Sequence, residues 1–215
     1  DLGSRGLGDV YKRQENNRIY KTYQEMAEKE SSRPDGIDVV SIVTPNHLHV
    51  PIAKIFAEKG INIICDKPIG MSSEEAIDLK KIIESKKLIF ALTHNYTGYP
   101  MVRHARSLVQ KGDLGSLRVI QAEYPQDWLT TKAEDSGLKQ AEWRTDPNRS
   151  GAGGCIGDIG THAYNLIRFI TGLEVDEISA DIHTFVEGRK VDDNAQIMLR
   201  FIGGAKGSIL SLIHI

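Results

Sequence analysis

Three short apolar runs, each separated from the next by a helical stretch, constrain this chain more than any other feature. They are IDVVSIVT (Ile37–Thr44), INIIC (Ile61–Cys65) and LIFALT (Leu88–Thr93). Runs this short and this continuously apolar are expected for strands buried on both faces. Between the first two, His47–Lys59 places Val50, Ala53, Phe56 and Ala57 on one side of a helix, and Gly60 stops it. Between the second and third, Ser72 with Glu75 forms a capping box for a helix reaching Lys86, with Ala76, Leu79, Ile82 and Ile83 facing inward. A shorter helix around Gln24–Ser31 precedes the first run and is closed by the turn Pro34-Asp35-Gly36. Strand and helix in alternation predict an α/β fold with a parallel sheet and right-handed crossovers. Thr44-Pro45-Asn46, Asp66-Lys67-Pro68 and His94-Asn95-Tyr96 then all leave the carboxyl ends of strands. They gather on the edge where open α/β sheets bind ligands.

The pattern changes after Pro100, which is well placed to start a helix over Met101–Lys111 ending at Gly112. From Leu117 the strands alternate in character: RVIQAEY, then EISADIHTFV, AQIMLRF and AKGSIL. Alternation predicts a mainly antiparallel, open sheet with one face toward a core, which makes the second half an α+β domain. Residues 15–98 and 99–209 are the two expected domains. A long polar loop from Pro125 to Ser150 carries Trp128, Trp143 and Arg144, and loops of that length are usually functional or disordered.

The stretch GAGGCIGDIGTHAYNLIRFITG, Gly151–Gly172, passes from glycines into a helical pattern. Ile159, Ala163, Leu166, Ile167 and Ile170 form one apolar stripe, and Gly172 suits the position just past the helix end. Beside that stripe, Asp158, His162 and Asn165 recur at i, i+4 and i+7, so an acid, an imidazole and an amide are expected on one face. The face serves either a site or internal hydrogen bonding.

Composition excludes several classes. A formal net charge of −2 offers no basic surface for nucleic acid. No run of about eighteen apolar residues exists to span a membrane. The start lacks an apolar signal core, and the two cysteines, Cys65 and Cys155, fit a reducing compartment, so a cytoplasmic setting is expected. Asp1–Gln14 and Leu210–Ile215 differ from the rest and resemble translated sequencing-adapter read-through. Residues 1–14 and 210–215 are therefore expected to be scars outside the fold, flanking a native stretch cut at both ends. Gly3, Gly6 and Gly8 do not make a dinucleotide fingerprint, because their spacing is wrong and no apolar strand precedes them.

Lys67 sits between an acid and a proline at a strand end, where an ammonium can stabilise charge growing on a substrate oxygen. Otherwise it is a surface lysine. His162, with an ordinary imidazole pKa, is a better proton acceptor than a lysine, and Asp158 is placed to orient hydroxyls or raise its basicity. A capping aspartate beside a partly buried histidine is the plainer reading. His47, His49, His94 and His162 do not form a zinc motif, since no cysteine or carboxylate lies at ligand spacing, and no metal is expected. Trp128 and Trp143 are suited to stack on a sugar or to fill an interdomain seam, and Arg144 offers a charged donor.

With these residues in place the chain resembles the Gfo/Idh/MocA oxidoreductases over essentially all of Glu15–Ile209. VSIVTPNHLHVPIA resembles the family's cofactor-edge strand and loop. CDKPIG resembles its Glu-Lys-Pro element, with Asp66 in place of the glutamate, and GGCIGDIGTHAYNL resembles its Asp-x-x-x-His helix. The resemblance implies a partial Rossmann-type parallel sheet, lacking the first β-α-β of typically about 30 residues or more. A truncated α+β domain follows, whose open sheet commonly makes a homo-oligomer interface. It implies NAD or NADP as cofactor and hydride transfer from a secondary alcohol of a sugar or cyclitol. Lys67 and His162 become the catalytic pair and Asp158 a partner of the substrate and of the histidine. Thr44, Pro45, Asn46, His49, Asp66, Lys67 and Asn95 bind cofactor. Lys67, Trp143, Arg144, Asp158, His162 and Asn165 bind substrate. Many members have Asp where Asn165 stands. Without the glycine fingerprint, the polypeptide as given is expected to bind dinucleotide poorly and turn over little, while a full-length parent would be active. The alternatives on the same fold are NAD-dependent glycoside cleavage and a non-catalytic sugar-binding or assembly role.

Overall fold

The first two parallel strands of the first sheet are each followed by a helix packed back onto the same face. The computed structural model describes residues 18–215, so the expectation for Asp1–Gln14 lies outside the described residues. After α1 (Tyr23–Ser31) come β1 (Val39–Ile42), α2 (His49–Glu58, entered through a 3-10 turn at Asn46–Leu48), β2 (Asn62–Asp66), α3 (Ser73–Ser85) and β3 (Phe90–Thr93). The strand order is β1-β2-β3, with all pairings parallel. The Ser72 hydroxyl accepts from the Glu75 backbone N–H, while the Glu75 carboxylate accepts from the Met71 N–H, one residue before the position a strict capping box uses.

The first core joins Val40, Ile42, Ile63 and Cys65 of the strands to Phe56 of α2 and Leu79 and Ile83 of α3. Burial on both faces is not what these strands show. Val39, Val43 and Ile64 are exposed, because α2 and α3 cover one face only among the described residues.

The second unit begins with α4 (Pro100–Lys111), then β4 (Val119–Pro125), α5 (Lys139–Arg144), α6 (Pro147–Ser150), α7 (Thr161–Thr171), β5 (Val175–His183), β6 (Asn194–Phe201) and β7 (Lys206–Leu212). Its sheet runs β4-β7-β6-β5; β4 and β7 are parallel, and the other neighbours are antiparallel. Ala195, Ile197, Leu199, Phe201 and Ile209 face Ile159, Ala163 and Ile167 in the second core, whereas Met198 and Arg200 point to the open side. Leu166 and Ile170, expected in the buried stripe, instead line an apolar groove of about 500 Å³ beside α4 and β4.

Two expectations change here. The segment from Pro125 to Ser150 is not a plain loop: it contains a 3-10 turn at Ala133–Ser136, α5 and α6. Arg189 pins it, donating to the carbonyls of Leu129 and Thr131 and pairing with Glu134 and Asp193. Nor does the sheet stop at Ile209. β7 continues through Leu212, Ser211 is fully buried, and Ile213 joins the second core. Leu210–Ile213 therefore packs as part of the domain, because Leu210–Leu212 pairs with Asn194–Gln196 of β6 and Ile213 closes the core beyond the strand end.

Candidate active site

Strand ends and one helix bring the chemistry together. Asp66 at the end of β2 pairs in register with Thr93 at the end of β3, and the Thr93 hydroxyl donates to Asp66 Oδ1 at 2.6 Å. The chain leaves the sheet there, and Lys67, joined to Pro68 by a cis peptide, crosses toward the second domain. Its Nζ donates to Asp158 Oδ1 at 3.0 Å and also meets the Asp158 carbonyl. On the other side of the same carboxylate, Arg144 Nε donates to Oδ2 at 3.3 Å. The guanidinium lies 4.2 Å from the Trp143 ring centroid and 5.8 Å from that of Trp128. Lys67 and Asp158 side chains are only 14% and 23% exposed, so this pair is screened less than a surface ion pair.

Asp158 is not on a regular α-helix. Residues Ile156–Gly160 form a π turn leading into α7. A π turn closes i→i+5 bonds and so rotates each following side chain less than an α-helix does. Between Asp158 and Asn165 the difference amounts to roughly a quarter turn. Asp158 and His162 consequently face a common space, while Asn165 lines neither of the cavities that meet there. The expected three-residue face is thus a two-residue one.

Two cavities share Lys67, Arg144, Asp158 and His162. The larger, about 990 Å³, runs along the strand ends, with Thr44, Pro45, Asn46, Asp66 and Asn95 on one wall and Trp143 and Arg149 on the other. The smaller, about 450 Å³, has Tyr96, Tyr124, Gln126 and Trp128 as its far wall. Asn46 Nδ2 donates to the Ser150 carbonyl at 2.7 Å, tying the first strand end to α6 across the large cleft. Thr44 Oγ1, also on that cleft, is buried without a hydrogen-bond partner. An orphaned buried hydroxyl on a cleft wall is the kind of group a bound ligand satisfies.

His162 is buried, with the Tyr96 ring 4.4 Å away and the His94 ring edge-on at 5.9 Å. Burial, then the Lys67 charge, pushes its imidazole down to about 4. An ordinary imidazole value is therefore not what the site provides. His162 is neutral near pH 7 and can accept a proton, but it is a weak base that must pass the proton on. Asp158 raises its basicity only as the smallest influence, the carboxylate being engaged by Lys67 and Arg144. His94 is likewise lowered by burial and by Lys67, and its Nδ1 is buried without a partner. Tyr96 and Tyr124 share a hydrogen bond of 2.6 Å between their hydroxyls, which together with burial raises Tyr96 to about 12.

One further expected cofactor residue stands apart. His49 is buried, and its ring nitrogens lie 2.7 Å from the Pro68 carbonyl and 2.8 Å from the Thr44 carbonyl. It braces two strand-end turns from behind and does not line the cleft. Trp143 lines only the strand-end cleft, not the smaller cavity where Trp128 sits. Tyr124 and Gln126 were not singled out from the sequence, and Tyr96 only as part of the third strand-end turn. A signal was there: Tyr124, Gln126 and Trp128 are partly buried in alternation with exposed Glu123, Pro125 and Asp127, so the period of β4 continues past its end. Among the described residues, no helix is long and apolar enough to cross a membrane, and no three His, Cys, Asp or Glu side chains converge to hold a metal ion.

A parallel sheet whose carboxyl edge carries a Lys facing an Asp and a buried His at the start of a second domain's helix is the architecture of a two-domain oxidoreductase. Residues 8–94 match the oxidoreductase family with an NAD-binding Rossmann fold, and residues 102–212 match the GFO/IDH/MocA C-terminal domain. The chain belongs to the GFO/IDH/MocA family of oxidoreductases. An inositol dehydrogenase homolog from Azotobacter vinelandii, solved with NAD+, superposes with a TM-score of 0.91 at 29% identity, over 99% of this chain and 55% of that one. An oxidoreductase from Sinorhizobium meliloti is 41% identical with a TM-score of 0.82, over 99% of this chain and 55% of that one. Levoglucosan dehydrogenase from Pseudarthrobacter phenanthrenivorans is 33% identical over 199 residues, 82% of this chain and 49% of the relative. The chain thus spans about half the length of the relatives it matches.

Proposed function

We propose that a protein built on this chain oxidises a secondary alcohol of a sugar or cyclitol, using NAD or NADP as hydride acceptor. The observation that carries this reading is the sharing of Lys67, Asp158 and His162 between the strand-end cleft and the aromatic cavity. The family is an NAD-binding one, and the matched relatives include a dehydrogenase named for levoglucosan and an inositol dehydrogenase homolog. Thr44, Asn46, Asp66, Asn95 and Trp143 would hold the nicotinamide end, and the unpartnered Thr44 hydroxyl fits a polar ligand. When bound, the nicotinamide supplies the hydride-accepting carbon.

The chain's own residues supply position and proton traffic. The Lys67 ammonium donates to the reacting hydroxyl oxygen and stabilises negative charge as the proton leaves. Neutral His162 takes that proton, and its low basicity favours prompt release to solvent. Asp158 keeps Lys67 and Arg144 in place. Tyr124, Gln126 and Trp128 form a wall of mixed stacking and hydrogen-bonding character suited to a polyol.

The test is reduction of NAD+ or NADP+ by a protein spanning the relatives' length, against a panel of unphosphorylated sugars and cyclitols. A keto or lactone product formed in step with NADH or NADPH is expected, with His162→Asn nearly inactive. Undiminished turnover by His162→Asn would remove it as the base. Alcohol released from a glycoside without net NADH would replace dehydrogenation by glycoside cleavage.

A further inference from the structure

We infer that Asp192, on the connection between β5 and β6, is a positioning residue that sets the register of the π turn and so aims Asp158 and His162 into the site. The inference rests on the function proposed above for its catalytic meaning, but the contact itself does not depend on that function. Asp192 Oδ1 accepts from the Gly154 N–H at 2.6 Å, and Oδ2 accepts from the Ile156 N–H at 2.9 Å. Its backbone carbonyl accepts from the Cys155 N–H at 2.9 Å. One residue therefore satisfies three consecutive backbone donors just where the helix starts, a capping arrangement supplied from 37 positions away in sequence. The Cys155 thiol faces the same carboxylate at 3.0 Å.

Within the glycine-rich run before the helix, it is Gly154 that lets Asp192 approach. A Cβ on Gly154 would lie 2.1 Å from the Asp192 carbonyl oxygen and 2.7 Å from a Val191 methyl. Ser211 of β7 holds the other side of the turn, its hydroxyl donating to the Cys155 carbonyl at 3.1 Å. The first peptide units of the turn are thus clamped between two strands' worth of structure. Asp158 is the third residue after Cys155, and its own N–H bonds the Gly154 carbonyl at 3.0 Å. A change in how Gly154 and Ile156 are held is therefore transmitted directly to the carboxylate that binds Lys67 and Arg144, and one turn later to His162. Asp193, the adjacent residue, is buried and directed elsewhere, to the N–H groups of Phe185 and Val186 and to Arg189. It provides a control from the same connection.

The experiment uses the 215-residue chain and no substrate. In Asp192→Asn one oxygen is replaced by an amide that cannot accept from the N–H it faces. The backbone amides of Gly154 and Ile156 are expected to exchange with solvent about tenfold faster or more. The His162 imidazole, followed by NMR, is expected to titrate above its native value of about 4, toward the ordinary 6.5, as the ring loosens from its buried setting. Asp193→Asn is expected to lower stability while leaving the His162 titration in place. Asp192→Glu keeps the capping charge but displaces it by a methylene, and serves where the Asn variant does not fold; the same upward shift is expected. An unmoved His162 titration in a folded Asp192 variant, or an equal shift in Asp193→Asn, would overturn the inference. Because no turnover is read, failure to find an oxidised sugar would count against the proposed reaction and not against this contact.

Discussion

Lys67 and Asp158, 91 residues apart in sequence, meet at 3.0 Å between Nζ and Oδ1 and join the two domains at the point where their cavities merge. Among the described residues, Lys67→Met removes the only ammonium at this junction that reaches the Asp158 carboxylate. Turnover is expected to fall by at least about a hundredfold, the loss typical when one donor to a developing oxyanion is deleted. Lys67→Arg is not expected to rescue it, since a planar guanidinium cannot occupy the position of a compact ammonium. Steady-state NAD(P)H formation measures both, and near-native activity of Lys67→Met would exclude the assigned role.

Stability should carry a pH signature from His162. Unfolded, the imidazole takes its proton near 6.5; folded, near 4, because it is buried beside Lys67. Between those values the unfolded chain binds more protons, so stability rises with pH across that window. The contribution is fully present above pH 6.5 and is lost as pH falls toward 4, by up to about 3 kcal/mol. Urea unfolding at neutral pH and near the lower limit should show this slope, and His162→Asn should flatten it. Identical slopes in the two proteins would place the titrating group elsewhere.

The two tryptophans should separate by ligand. Trp143 faces the strand-end cleft and Trp128 the aromatic cavity. Trp143→Ala is expected to raise the dinucleotide KM about tenfold with little change for the sugar, and Trp128→Ala to do the reverse. Equal effects of both variants on both ligands would contradict the division of the site.

Arg189 holds the segment that carries Trp128 and Arg144. Its guanidinium is almost fully buried between Glu134 and Asp193, with two further bonds to carbonyls. Arg189→Met leaves two carboxylates unpaired and is expected to cost about 3 to 5 kcal/mol. Denaturant midpoints measure this, and a change within about 0.5 kcal/mol would show that the network relaxes without loss.

Strand and helix identities were legible because they rest on local periodicity. The capped helix after Ser72, the proline opening α4 and the three strand ends follow from spacing alone. Lys67, Asp158 and His162 could be picked out because titratable groups at a strand end and on a glycine-led helix stand out from their neighbours. Other features were hidden for reasons of distance. Nothing near Asn165 in the sequence announces that a π turn rotates it away, since the turn is held by Asp192 and Ser211, which come later in the chain. His49 looks like a ligand until Pro68 and Thr44 are seen to occupy both ring nitrogens.

By itself the sequence determined the order of elements, the parallel character of the first sheet and the residues able to do chemistry, because each depends on interactions within a few residues. Only the tertiary structure decided that one face of that sheet is uncovered among the described residues, that β7 runs through Leu212, and that His162 is held near 4 instead of near neutrality. Those outcomes depend on which surfaces exclude water and which charges meet after the chain has crossed between domains, and no local pattern encodes them.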